Sequence, residues 1–220
     1  RANWIAGVSH DIRTPLALIM GYSDELSRED NLGSEEKKKA EMICRQSLVI
    51  RQLIQDLNLT SKLAYHVQPL HKIEFSPAIL LRECVAEFYN EGLEQNYEIE
   101  VLVMGEGERV RLTGDQGLWK RALRNLLGNS IRHNPFGCRI KAALKIQEGS
   151  VCYEIRDSGP GIPGKIADIL EGKGSEAEES VHIMGLRLVS QIAAVHGGEL
   201  QFIRREKDGC DIRLVLGKKE

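Results

Sequence analysis

Ser9-His10-Asp11-Ile12-Arg13-Thr14-Pro15-Leu16 lies in a run whose apolar residues, Ile5, Val8, Ile12, Leu16, Ile19, Tyr22 and Leu26, recur every three or four positions. That spacing draws one stripe along an amphipathic helix, predicted over about residues 2–28. At about 100° per residue the stripe turns His10 to the opposite, solvent-facing side. Thr14 shares that face one turn on, Asp11 stands beside it, and Pro15 removes a backbone hydrogen bond and is expected to bend the helix. A neutral imidazole is a competent nucleophile at about pH 7, and an adjacent carboxylate can orient it and accept its proton. A histidine on a helix is equally compatible with a plain solvated surface, so its reading depends on the rest of the chain.

Working outward, residues 29–34 read as a turn with Ser34 as N-cap, followed by a second long helix reaching about Leu63. Met42, Val49, Leu53 and Leu57, with Ile43, Ile50 and Ile54 beside them, give it a broad apolar face. Two long helices and a short turn make an antiparallel hairpin. Its wide stripes call for a second copy, so a four-helix bundle built by a homodimer is the expected completion. The alternative is a hairpin packed against its own C-terminal domain. Periodicity lapses over residues 64–70, where Pro69 intervenes, and this divides the chain into domains 1–66 and 67–220.

The second domain alternates helices and strands. Ser76-Pro77 opens a helix to about residue 94. Strands are predicted at 97–104 and 109–113, a helix at 116–132, and a hairpin of 138–146 with 151–157. A glycine-bearing stretch precedes a helix at 184–196, which Gly197-Gly198 stops, and strands at 199–204 and 210–216 finish the chain. The fold class is α+β: a helical hairpin, then an α/β sandwich with helices layered on a mixed sheet.

Composition excludes several functions. Thirty Lys and Arg against 32 Asp and Glu give a net charge of −2 and no basic footprint for nucleic acid. Five scattered cysteines without a Cys-x-x-Cys pair argue against a disulfide framework or a zinc site and fit a reducing cytoplasm. No apolar run approaches the roughly 20 residues that span a bilayer.

Three stretches of the second domain carry chemistry. In Asn125-Leu126-Leu127-Gly128-Asn129-Ser130-Ile131-Arg132-His133 the two asparagines lie one turn apart. The amide oxygen of Asn129 can enter the shell of a Mg²⁺ ion that holds phosphate, and Arg132 offers charge to the same phosphates. In Asp157-Ser158-Gly159-Pro160-Gly161 the glycines permit close backbone approach, and Asp157 can accept a hydrogen bond from an exocyclic amine such as that of adenine. Met184-Gly185-Leu186-Arg187-Leu188 opens a helix whose free N–H groups suit phosphate. Taken singly, each is also compatible with a polar helix face, a Gly-Pro turn or an ordinary helix start.

Residues 9–16 match every fixed position of the phosphoacceptor box of two-component sensor histidine kinases, and the three later stretches resemble the asparagine box and two glycine boxes of the Bergerat-type ATP-binding fold. The resemblance covers nearly the whole chain. It implies ATP and Mg²⁺ as cofactors, with Asn129 holding the metal. Asn125, Arg132 and His133 would line the phosphates, Asp157, Gly159 and Gly161 the adenine, and Gly185 and Leu186 the second glycine box. It further implies catalytic roles for His10, Asp11 and Thr14, a homodimer, a response-regulator receiver domain as partner, and a cytoplasmic portion of a receptor whose sensor and membrane segments precede it. Hydrolytic relatives carry a glutamate base where Asn125 stands, so transfer to a side chain is favoured over hydrolysis.

The sequence departs from the pattern at two places. The second glycine box reads Ile183-Met184-Gly185-Leu186-Arg187-Leu188, keeping one glycine of three, and an aromatic box is replaced by residues 169–174. The polar segment from Gly172 to about Val181 is expected to form a mobile lid. Two rival readings stand beside the kinase. One is a non-catalytic kinase-like scaffold. The other is a dinucleotide-dependent oxidoreductase, or a P-loop protein, with its site at Gly159-x-Gly161-x-x-Gly164, opposed by Ile166 and by the backbone donors deleted at Pro160 and Pro163.

Overall fold

The computed structural model describes residues 2–29, 31–65, 67–147, 150–161, 181–203 and 209–216, with no side chains for 2–11, 147 and 181–183. The chain separates into two compact units, Arg1–Gln68 and Pro69–Glu220.

The first unit is a helical hairpin of α1 (Ala2–Arg28) and α2 (Ser34–Ala64). Ser34 does not cap α2. It is the first helical residue, and Gly33 takes the N-cap position without a side-chain hydrogen bond. Glu35 and Glu36 in the first turn complement the helix dipole in its place. Among the described side chains, the buried residues of the hairpin are Leu16, Ser23, Ala40, Ser47, Asp56, Ser61 and Leu63, several of them small. The apolar residues that dominate the sequence pattern lie outside this set: Ile19, Tyr22, Leu26, Met42, Ile43, Val49 and Ile50 are all exposed. Two helices touch along one seam only, so stripes this wide cannot be covered within a single hairpin.

The second unit stacks three helices on one face of a five-stranded sheet. Its elements are β1 (Lys72–Phe75), α3 (Pro77–Asn90), β2 (Tyr97–Val103), a 3₁₀ turn (Gly105–Glu108), β3 (Leu112–Asp115), α4 (Gln116–Arg132), β4 (Cys138–Gln147), β5 (Ser150–Asp157), α5 (Val181–Val195), β6 (Gly198–Phe202) and β7 (Asp211–Leu216). The sheet order is β2-β4-β5-β7-β6, parallel only at β2–β4, while β1 and β3 form a separate antiparallel pair. Several boundaries differ from those predicted; α5, for one, begins at Val181 where position 184 was expected. Helix α3 stops at Asn90, after which Gly92 turns the chain at φ +87°. Strand β3 begins at Leu112 because residues 105–108 wind as a 3₁₀ turn.

Alternation along the strands fixes two unlike faces. Ile140, Ala142, Leu144, Tyr153, Ile155, Ile212 and Leu214 point to the helices, where Leu80, Leu81, Trp119, Leu123, Leu126, Leu127 and Leu188 complete a core with essentially no solvent exposure. The other face is ionic. Buried Glu154 accepts from Lys145 at 2.8 Å and from Arg213 at 2.9 Å, and Arg156 pairs with Asp211 at 2.8 Å. Burial alone would raise the Glu154 carboxyl, but Lys145 and Arg213 hold it below the usual range. A concavity of about 570 Å³ at one end of this face mixes Glu98 and Glu100 with Arg139, Lys141 and Arg156. Among the described residues no helix is long and apolar enough to cross a membrane.

One histidine ties the layers together. His196, just past α5, accepts the Asp115 backbone N–H at Nε2 (3.0 Å) and donates from Nδ1 to Ile192 O (2.7 Å), with its ring 4.9 Å from that of Trp119. Both bonds require the neutral ring, since a protonated Nε2 would face a donor. Burial lowers its pKa, partly opposed by the Ile192 bond. The unfolded chain therefore takes up a proton first, so this contribution is complete above about pH 6.5 and is lost as pH falls toward the depressed folded value. The Glu154 contribution fails later, below about pH 4.5. We expect urea unfolding to show stability declining from pH 7 to 5. His196→Gln should flatten that decline while costing about 1–3 kcal/mol at pH 7; an unchanged slope would show that His196 does not govern it.

Candidate functional site

Helix α4 organises the second unit's polar cluster. Asp115 caps it by accepting from Leu118 N–H at 3.1 Å, and its apolar positions Leu118, Trp119, Ala122, Leu123, Leu126 and Leu127 are buried in the core. This docking turns the face bearing Asn125 and Asn129 toward the first turns of α5. The approach is close enough that a Cβ added to Gly185 would stand 2.8 Å from Asn125 Oδ1 and 3.9 Å from Asn129 Oδ1. The asparagine pair and the surviving glycine of the second glycine box are thus brought together. Leu186, the next residue, is buried.

Asn125 donates from Nδ2 to Arg121 O at 3.1 Å, leaving its oxygen toward Gly185. Asn129 is 8% exposed, its Oδ1 accepts from Arg132 at 3.3 Å, and its buried Nδ2 finds no partner among the described residues. Arg132 and His133 are exposed at the end of α4, and the His133 N–H closes the helix on Asn129 O at 3.0 Å. No group of three His, Cys, Asp or Glu capable of holding a metal occurs among the described residues. The Asn129 amide fits a different kind of metal site, in which Mg²⁺ takes one protein oxygen and draws the rest of its shell from water and phosphate.

Asp157, at the end of β5, is buried and densely bonded. Its Oδ2 accepts from the Ser130 hydroxyl at 2.9 Å, and its Oδ1 accepts from Gly159 N–H at 3.0 Å and Cys210 N–H at 3.3 Å. Ser130 is held in turn by its helix, and its carbonyl accepts from Asn134 Nδ2 at 2.6 Å. Gly159 lies so close to Asn134 Oδ1 that any Cβ there would overlap it, and a Cβ on Gly209 would strike Asp157 O. Gly161 adopts φ +83°, and Gly209 φ +118°, conformations open to glycine. Two thiols border the carboxylate: burial, then the charge of Asp157, pushes Cys138 up to about 11 and Cys210 up to about 12, so neither is a nucleophile at neutral pH.

Three contributors to this cluster, Ser130, Asn134 and the Gly209-Cys210 corner, were not singled out from the sequence. Ser130 had a detectable signal, since a serine occupies a core-facing position one turn after Leu126, with Asn134 one turn further. The Gly209-Cys210 corner had none, because its proximity to Asp157 depends on β7 pairing with β5.

Other predicted positions lie apart or outside. Backbone helix α1 carries residues 10 and 11, but the His10 and Asp11 side chains lie outside the described residues, as does the predicted lid from Gly172 to Ser180. So do Ile162, Pro163, Gly164 and Ile166 of the rival glycine-motif reading. Thr14 is exposed on α1 in the first unit, and Arg187 lies in the early part of α5.

Residues 1–65 match the family model of the His Kinase A (phospho-acceptor) domain, and residues 114–220 match that of the histidine kinase-, DNA gyrase B- and HSP90-like ATPases. Among curated proteins, sensor histidine kinase YvrG of Bacillus subtilis is 28% identical over 99% of this chain and 38% of its own length. Sensor histidine kinase CssS of the same organism is 24% identical over 97% and 46%. The chain spans less than half the length of these relatives. Among solved structures, full-length ShkA in complex with AMPPNP superposes with a TM-score of 0.74 at 20% identity, over 98% of this chain and 46% of that one. Histidine kinase ThkA, in complex with the response regulator TrrA, gives 0.65 at 23% identity, over 97% and 60%. These structural likenesses carry the fold, and with the two family models they lead to one assignment: the chain belongs to the sensor histidine kinases of two-component systems.

Proposed function

We propose that this chain is the transmitter region of a sensor histidine kinase, which binds Mg-ATP in its second unit, phosphorylates His10, and passes the phosphoryl group to an aspartate of a response-regulator receiver domain. The observation that carries the reading is the pair of bare-backbone approaches at α4 and the turn just past it, Gly185 onto Asn125 and Asn129, and Gly159 onto Asn134 beside Asp157.

Asp157 accepts a hydrogen bond from the adenine amine with the one acceptor position its neighbours leave open. The phosphates run toward α5, whose first N–H groups and helix dipole favour anions, with Arg132 supplying a full positive charge. Asn129 would hold Mg²⁺ through its amide oxygen, exchanging its bond from Arg132 for the ion, which neutralises phosphate charge when bound. Asn125 cannot deprotonate water, so the site lacks the base that hydrolysis would use. In the transfer, a ring nitrogen of His10 bonds to the γ-phosphorus as the bond to the bridging oxygen breaks. ADP leaves with that electron pair, and Asp11 takes the proton from the other ring nitrogen.

The exposed apolar stripes of α1 and α2 support a homodimer, since a second copy of the hairpin would bury them in a four-helix bundle. Thr14, one turn from position 10 and open to solvent, is proposed to orient a water in the reverse duty of dephosphorylating the regulator. The rival scaffold reading rests on the second glycine box, where Ile183 and Arg187 stand in place of glycines.

Incubation with γ-labelled ATP and Mg²⁺ should place an acid-labile, alkali-stable label on His10, absent from His10→Gln. Acid-stable label, or label persisting in that variant, rejects the kinase assignment, and no label at all favours the scaffold. Thr14→Ala should retain autophosphorylation within about twofold but slow regulator dephosphorylation by about tenfold or more, as loss of a water-positioning group does. Equal loss of both activities would make Thr14 structural. By calorimetry, Asp157→Asn should weaken ATP binding by about tenfold or more, because an amide presents donors toward the adenine amine; unchanged affinity would place adenine elsewhere.

A further inference from the structure

The carboxylate of Asp157 has about four acceptor positions, and three of them are already taken inside the protein. Gly159 N–H and Cys210 N–H fill Oδ1, and the Ser130 hydroxyl fills half of Oδ2. The two backbone donors come with the fold of the β5 and β7 ends and would be present whatever residue stood at 130. The hydroxyl is different. It is a side-chain contribution, made from a buried position of α4 immediately after Asn129, and it is the donor that distinguishes one carboxylate oxygen from the other.

Ser130 is unable to wander. Its carbonyl accepts from Asn134 Nδ2 at 2.6 Å and lies 3.7 Å from Cys138 Sγ, and Asn134 is in turn packed against Gly159. A closed circuit results, Ser130 to Asp157 to Gly159 to Asn134 and back to Ser130, with all four residues part-buried or buried. A hydroxyl with a single proton, committed to the carboxylate, leaves one lone pair of Oδ2 as the acceptor position the Asp157 carboxylate still has open. The carboxylate, acceptor-only when ionised, thus has one acceptor position to give and no donor.

We propose that Ser130 is a positioning residue that sets nucleobase selectivity: by fixing the Asp157 carboxylate and filling half of Oδ2, it matches the site to a purine with a single 6-amino donor and against one with a 6-oxo acceptor. This rests on the reading of Asp157 as the adenine contact. A 6-oxo base would set its oxygen against a carboxylate oxygen, with no proton between them to relieve the repulsion. Without the hydroxyl the carboxylate keeps its backbone bonds but loses the restraint on its second oxygen, so the amine's advantage shrinks more than the binding of the rest of the nucleotide.

The test uses calorimetry of the whole 220-residue chain with ATP and ITP, which differ in the 6-substituent. Ser130→Ala should weaken ATP by about tenfold, the scale of one charge-assisted hydrogen bond, and ITP by less than about twofold, so that their affinity ratio falls. Ser130→Thr keeps a hydroxyl and should hold the ratio within about twofold of the unaltered chain. Proportional losses for both nucleotides in the alanine variant, or an unchanged ratio, overturn the proposal, as does a ratio lost in the threonine variant. Asp157→Asn separates the two levels. If that variant leaves ATP affinity unchanged, the adenine reading itself has failed; if it weakens ATP while Ser130→Ala leaves the ratio intact, only the role of Ser130 has.

Discussion

Bare backbone is what the polar cluster of the second unit depends on. At positions 159, 185 and 209 any side chain would drive into an amide or carbonyl oxygen, at Asn134, Asn125 and Asp157 respectively. Gly185 lets the start of α5 approach Asn125 on α4, Gly159 lets its loop approach Asn134 just past that helix, and Gly209 lets the chain before β7 approach the end of β5. The converging groups are then close enough to share hydrogen bonds instead of leaving buried donors and acceptors unpaired. Position matters more than number here: Gly21 and Gly128, among the described glycines, meet no such constraint.

What holds α4 against that convergence is ordinary packing reinforced at two ends. Its apolar face is locked among Leu80, Leu81, Tyr153 and Leu188, and Tyr153 adds a bond from its hydroxyl to Pro77 O at 3.1 Å. On its outer side Arg124 lies 4.8 Å above the Phe88 ring and pairs with Glu87 and Glu91, joining α4 to α3. Its N-terminus is fixed by Asp115, whose own amide is claimed by His196. The ionic sheet face has another character. Buried Glu154 is tolerable only because cations reach it from both neighbouring strands, and removing one would leave a poorly compensated charge.

Long periodic elements and motif-bearing loops were legible in the sequence. Helices α1, α2 and α4 announced themselves in the sequence pattern, and β4 and β5 as a hairpin that the structure keeps. Strand β1 was not legible, because Lys72, Ile73 and Glu74 are all exposed and its pairing with β3 is made across 37 or more residues. The boundary of β3 slipped for the same reason, since Gly114 and Asp115 read locally as a turn and become strand only through that partner. Asn129, Asp157 and Gly185 could be found because their residue types are chemically suggestive. Ser130 could not be ranked above other serines until its hydroxyl was seen to end on a carboxylate.

The hairpin seam has a mechanical side. Leucine-rich seams lock two helices by knobs seated in holes, so that sliding one past the other must first unseat each knob. Among the described side chains Leu16 and Leu63 can seat as knobs, whereas Ser23, Ala40 and Ser47 supply almost none. They admit a close approach of α1 to α2, with few protrusions to enforce one axial register or one rotation. The bulky residues are arranged around the outside, where a covering surface would grip them. A middle stretch so built offers little steric resistance to a small axial shift of one helix against the other, while the bulky exposed residues would be gripped by a covering surface.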